Sequence, residues 1–158
     1  MTAMHFTWTP SARKAVIAAM LVVFGLAACR APPGQDRAPR YTVTTSKPFE
    51  EVLADLEFAI GEHNFRLTGR DSIGAAIAER NAIAFPSATV LHFCNLEYAR
   101  QLLELDPRYL LHMPCRIALY EQAGRVTIEA RLLPESDPEA VSARVNNILR
   151  AIVAESAG

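Results

Sequence analysis

The chain predicts an α+β fold, a two-layer sandwich in which helices pack on one face of a mixed β-sheet. Two observations carry this. From Tyr41 onward, short runs that alternate apolar and polar residues interleave with runs whose apolar residues recur three and four apart, in the order β-α-β-α-β-α-β-β-α. The body from Tyr41 to Ser156 is also ~115 residues long, the size of one domain.

Tyr41 to Thr45 reads as a short strand. Ser46 and Pro48 then offer a cap and a first-turn proline for a helix whose apolar stripe is Phe49, Val52, Leu53, Leu56, Ala59 and Ile60, ending near His63. Phe65 and Leu67 alternate with Arg66 and Thr68, giving a second strand to about Arg70, and an Ala-rich helix follows from Ser72 to Arg80. Asn81 to Ser87 is loop, because Pro86 stops any helix. Ala88 to Cys94 alternates most regularly, with Thr89, Leu91 and Phe93 on one face and Val90, His92 and Cys94 on the other. Leu96, Ala99, Leu102 and Leu103 supply another short helix, and a loop runs from the Asp106-Pro107 turn to Pro114. Cys115 to Tyr120 and Arg125 to Leu132 form a hairpin across Gln122-Ala123-Gly124, with Val126, Ile128 and Ala130 opposed to a wet face of Thr127, Glu129 and Arg131. Asp137-Pro138-Glu139 opens the last helix, with Val141, Val145, Ile148, Leu149 and Ile152 as its buried stripe.

The amino terminus carries an address. Arg13 and Lys14 precede an uncharged run from Ala15 to Gly25, the order of a secretory signal. That run is about 11 residues, whereas a membrane-spanning helix needs ~20. It closes on Leu26-Ala27-Ala28-Cys29, which resembles the lipobox of bacterial lipoproteins. The resemblance implies that residues 1–28 are removed and that Cys29 carries the acyl anchor to the membrane. Ordinary secretion, with cleavage near Ala27 and Ala28, is the alternative. Arg30 follows where an aspartate would retain a lipoprotein in the inner membrane, so the expected place is the cell envelope, on the outer membrane facing the periplasm. Residues 29–40, with Pro32, Pro33, Gly34 and Pro39, read as an extended tether.

Composition narrows the partners. The chain has 16 basic and 17 acidic residues, and loss of Arg13 and Lys14 leaves the rest acidic by three. This excludes an electrostatic footprint for nucleic acid, and no run of lysines or arginines points to anionic lipid. Tyr41 to Thr45, as an edge strand, could pair with a second copy of the chain.

Within the body, Phe93-Cys94-Asn95-Leu96 follows a strand, Asp106-Pro107 lies in a loop, Leu111 to Arg116 reads Leu-His-Met-Pro-Cys-Arg, and Tyr120-Glu121 precedes a glycine turn. Together they resemble the domain of unknown function 302 family, in register from about Thr42 to Leu133. Leu96 stands where the family usually has proline. The resemblance implies a compact α+β domain and brings no established activity with it.

Candidate chemistry centres on Cys94 and Cys115, the thiols that remain if Cys29 is acylated, in a compartment that favours oxidation. His92 shares a strand face with Cys94, and His112 lies three residues before Cys115. Three readings stay open. The pair closes a disulfide over about 22 residues, for roughly 3 kcal/mol, or forms two buried thiols. It is a redox pair, which requires an exposed cysteine of low pKa. Or Cys94, Cys115, His92 and His112 hold zinc or copper, without the paired Cys-x-x-Cys that makes such a site specific. Otherwise no cofactor is expected. His63 reads as a solvated side chain at a helix end, Asp71 as a turn or cap residue, Asn95 as a brace of its turn, and Arg116 and Glu121 as surface charges. No phosphate loop, nucleophile elbow or His-Glu-x-x-His pair is present. The expectation is a non-enzymatic binding or accessory domain, recognising a small ligand or protein near Asn95 and Pro114; the alternative is a thiol-redox or metal-handling protein.

Overall fold

The computed structural model describes residues 39–135 and 140–158. The expectations for residues 1–28, for most of 29–40 with Cys29, and for the Asp137-Pro138-Glu139 helix opening lie outside them.

The described body has five strands, β1 (Arg40–Thr45), β2 (Arg66–Asp71), β3 (Ala88–Cys94), β4 (Cys115–Gln122) and β5 (Arg125–Arg131). Its helices are α1 (Phe49–Glu62), α2 (Ile73–Asn81), α3 (Leu96–Leu105) and α4 (Val141–Ala157), with a 3-10 helix at Pro107–His112. The strands form one sheet in the order β1-β5-β4-β3-β2, which puts β1 at an edge as expected. The α+β class is as the sequence predicts, but the sheet is not mixed: every described pairing is antiparallel. The reason lies in the connections. β4 and β5 join by the two-residue turn Ala123-Gly124, both at positive φ (51° and 73°), which reverses the chain tightly. The helical crossovers return each remaining strand beside a neighbour that runs the other way.

Alternation divides the sheet into two faces. Leu91, Phe93, Ile117, Leu119, Ile128 and Ala130 point inward and are fully buried. They pack against the α1 stripe Val52, Leu56 and Ile60 and the α4 stripe Val145, Leu149 and Ile152. Helix α1 starts one residue later than the sequence suggests. Pro48 occupies its cap position, Ser46 caps nothing, and no side chain caps the helix start; Pro48 has no N–H for the Ser46 hydroxyl oxygen to accept. The stretch read as a loop after Asp106 winds instead into the 3-10 helix, because the Asp106 carboxylate accepts the Arg108 N–H and Pro107 sets the first turn.

The buried face of α4 is wider than its apolar stripe, since Ser142, Asn146 and Ser156 are buried with it while Val141 and Ile148 are only partly so. Asn146 is fully enclosed. Its Oδ1 accepts the Leu133 N–H at 2.8 Å and its Nδ2 donates to the Leu133 carbonyl at 3.0 Å, so one side chain satisfies both backbone groups of the strand exit after β5. Replacing it leaves two buried polar groups without partners, each costing ~1–3 kcal/mol. We expect Asn146→Leu to lower the unfolding free energy by about 2–4 kcal/mol in urea titration. A loss below that of an ordinary surface change would show that the clamp is dispensable.

Helix α2 is held by a close approach rather than by a stripe, since Gly74 is its buried residue. A Cβ there would stand 2.4 Å from the Pro86 carbonyl oxygen and 2.7 Å from the Ala88 nitrogen, both backbone atoms that cannot swing aside. Gly74→Ala is therefore expected to destabilise by about 1–3 kcal/mol, despite alanine's better helix propensity. Thermal melting reads the sign directly.

Candidate functional site

The ends of β3 and β4 meet α3, α4 and the 3-10 helix around a small cavity. Its wall includes Cys94, Tyr98, His112, Met113, Cys115 and Leu133. Phe65 closes one side, edge-on to Phe93 at 5.6 Å between ring centres and stacked on Tyr98 at 6.0 Å. The cavity has about 20 Å³ of room, enough for about one water molecule.

Both thiols are free and line this cavity. They are unlike each other. Cys115 opposes Phe93 in the β3–β4 register and so belongs to the inward face. Burial, and secondarily the neighbouring Cys94, push its thiol up to about 12. Cys94 closes β3 and is half-buried, and burial raises its pKa as well. A nucleophilic or metal-binding cysteine needs the opposite shift; burial prevails at both thiols, even at Cys94 beside the N-terminus of α3.

The four candidate ligands are not gathered. Cys94, Cys115 and His112 line the cavity, whereas His92 points to the outer face of the sheet, where its Nε2 lies 2.9 Å from Asp71 Oδ2. Among the described residues no three His, Cys, Asp or Glu side chains stand where one metal ion could take them together. Alternation correctly puts His92 and Cys94 on one strand face, but the strand ends at Cys94, which turns toward the cavity mouth. Asp71 is thus the partner of His92 rather than a simple turn residue. His63, read as solvated, faces Glu155 at 3.1 Å across the start of α1's exit loop. Glu121 accepts the Ser87 N–H at 3.3 Å.

Asn95 braces its turn, as its sequence position suggests. Its Oδ1 accepts the N–H groups of Glu97 and Tyr98, capping α3, and its Nδ2 donates to the Asn64 carbonyl at 2.9 Å. With these bonds made, its amide is committed to the fold. His112 is partly buried, and its Nδ1 is enclosed without a protein partner. Burial holds its basicity down, and Arg131 and Arg116 add to the effect. Sequence reasoning set Arg116 aside as a surface charge and placed Arg131 on the wet face of the hairpin; what both share with His112 is spatial, and appears only once strand register is known.

The asymmetry of the thiols has measurable consequences. In the folded protein near pH 8, Cys94 should alkylate ahead of Cys115, whose thiolate fraction burial holds roughly a thousandfold below that of a free thiol. Comparable rates at the two sites, read by peptide mass, would contradict the burial. The stability effect has a definite sign. An unfolded thiol releases its proton near ~8.5 and the folded Cys115 near 12, so between these values the unfolded state binds fewer protons. The contribution of Cys115 is complete below ~8.5 and is lost as pH rises toward 12, by up to about 1.4 kcal/mol per pH unit. Subtracting the alkaline profile of Cys115→Val isolates it.

Residues 41–155 match the family described as "Domain of unknown function DUF302". A crystal structure of an uncharacterized conserved DUF302 protein from Bacillus stearothermophilus superposes with a TM-score of 0.65 at 21% identity. The match covers 74% of this chain and 97% of the other. At that identity the likeness concerns the fold. No curated protein matches.

Proposed function

The chain belongs to the domain of unknown function 302 family, and on that premise we propose that it is a cell-envelope lipoprotein whose domain is a non-catalytic binding or accessory module. In this reading Cys29 carries the acyl anchor, residues 29–40 are the tether, and Arg30 directs the protein to the outer membrane facing the periplasm. Two or three acyl chains, at ~0.8 kcal/mol per buried methylene, hold a protein on a bilayer.

The observation that carries the non-catalytic part is the cavity. Several of the chemistry-bearing residues here are occupied or silenced: Cys115 is protonated at any physiological pH, Asn95 caps α3, and His92, on the outer face, is held by Asp71; Cys94 and His112 remain without side-chain partners. The enclosed cavity is water-sized, and the roomier clefts beside it, one along Arg66, Leu67, Thr68, Cys94 and Leu96 and one along Tyr109, Leu111, His112 and Pro134, open outward, which suits recognition on the outside of the domain. The thiol-redox alternative is supported by one fact, that Cys94 and Cys115 line the same cavity.

Intact-mass analysis of protein extracted from membranes tests the anchor. The expected product starts at Cys29 and carries acyl mass; an uncleaved, unacylated chain in the cytoplasm would refute the reading. The same spectra report whether the chain is two hydrogen atoms lighter, with Cys94 and Cys115 joined as a disulfide. Turnover of a disulfide or thiol substrate by the purified chain, lost in Cys94→Ser, would transfer the assignment to redox chemistry.

A further inference from the structure

Three arginines that are remote in sequence, Arg40, Arg116 and Arg131, are brought side by side by strand register. Arg40 opposes Arg131 across β1 and β5, and His92 opposes Arg116 across β3 and β4. The β4–β5 register pairs Ile117 with Ala130, and one further step sets Arg116 beside Arg131. All four side chains lie on the outer face, because the residues that alternate with them, Ile117, Ala130 and Leu91, are buried inward. With strands ~4.8 Å apart, the result is a nearly straight row, His92-Arg116-Arg131-Arg40, across the width of the sheet.

The ends of the row have carboxylate partners and its middle has none among the described residues. Glu129 holds Arg40 at 3.0 Å and Asp71 holds His92 at 2.9 Å. Among the described residues no carboxylate pairs with Arg116 or Arg131, and like charges on directly opposed residues repel. Such a pair on an acidic domain calls for an external anion. Exposed apolar residues stand on the 3-10 helix that leads into β4. His112 feels both middle arginines, and the two residues before it, Leu110 and Leu111, are 63% and 78% exposed on the 3-10 helix. Basic groups together with exposed leucines are the composition of a surface that meets a bilayer interface.

Geometry favours lipid over a free oxyanion. The row is extended along one sheet face, which suits a plane of phosphates, whereas a lone phosphate would need donors converging from several sides. The covalent route agrees, because Arg40 is both the start of β1 and a member of the row, eleven residues after Cys29, within a reach of at most ~40 Å. We propose that Arg116 and Arg131, together with the exposed Leu110 and Leu111 of the 3-10 helix that precedes β4, form the surface by which this domain rests on anionic lipid headgroups of its own membrane. This rests on the tethered reading above.

The test uses full-length Cys29→Ser protein, which cannot be acylated, in co-sedimentation with vesicles of phosphatidylcholine alone or with about one third phosphatidylglycerol, at low and high salt. The expected result is extra binding to the anionic vesicles that high salt removes, and that falls about 30-fold in Arg116→Gln/Arg131→Gln, from ~1 kcal/mol per basic residue. Leu110→Ser/Leu111→Ser should weaken the same component. The arginine variant should also melt no lower than its parent, since it relieves repulsion. Equal binding to both vesicles, an unchanged arginine variant, or a lower melting temperature for it would each overturn the proposal. So would inorganic phosphate raising the melting temperature of the parent but not of the arginine variant, which would assign the row to a free oxyanion. Because this protein lacks the anchor thiol, failure here counts against the row alone, while missing acyl mass on the wild type counts against the tether.

Discussion

The register of β3, β4 and β5 is the constraint on which the rest of the molecule depends. Side chains alternate with a period of two, so a slip of one residue between β4 and β5 would turn Ile128 and Ala130 outward and bring Glu129 and Arg131 into the core. The tight Ala123-Gly124 reversal prevents that slip, at the cost of holding an alanine in the left-handed region. The same fixed pairing does two unrelated jobs. It assembles the apolar floor under α1 and α4, and it aligns charges on the opposite face that have no sequence proximity at all.

Segments with strong periodicity were legible from residue order alone: the α1 stripe, the β3 alternation, the β4–β5 hairpin and the edge position of β1. What escaped reading has physical causes. Parallel and antiparallel neighbours carry similar apolar patterns, so the direction of each crossover is settled by three-dimensional packing, and the mixed sheet expected from the pattern is antiparallel throughout its described pairings. Asn146 is polar and sits beside the apolar stripe of α4, so nothing in the helical period marks it as the residue that holds Leu133. Pro107 and Asp106, read as turn formers, are equally good starters of a 3-10 helix.

The site was legible in its membership more than in its chemistry. Cys94, Cys115 and His112 do meet at one end of the sheet. Their neighbours there are Phe65, Leu102, Leu133 and Val145, and such walls keep a thiol protonated and leave a water-sized space. Whether a cysteine is reactive depends on which charges surround it, and that is a property of packing rather than of spacing along the chain. His92 illustrates the converse, since its shared strand face with Cys94 was read correctly but led to Asp71 instead of the cavity.

The way the first strand joins the body determines how the domain bears mechanical load. The Pro39 carbonyl accepts the Leu132 N–H at 2.8 Å, and Arg40 holds Glu129, so any tension arriving from the preceding chain is transmitted first to these two bonds at the rim of the sheet. Force entering there is spent on peeling an outermost ribbon from its single neighbour, while the interior packed between the remaining strands and α4 is spared until that ribbon has come away.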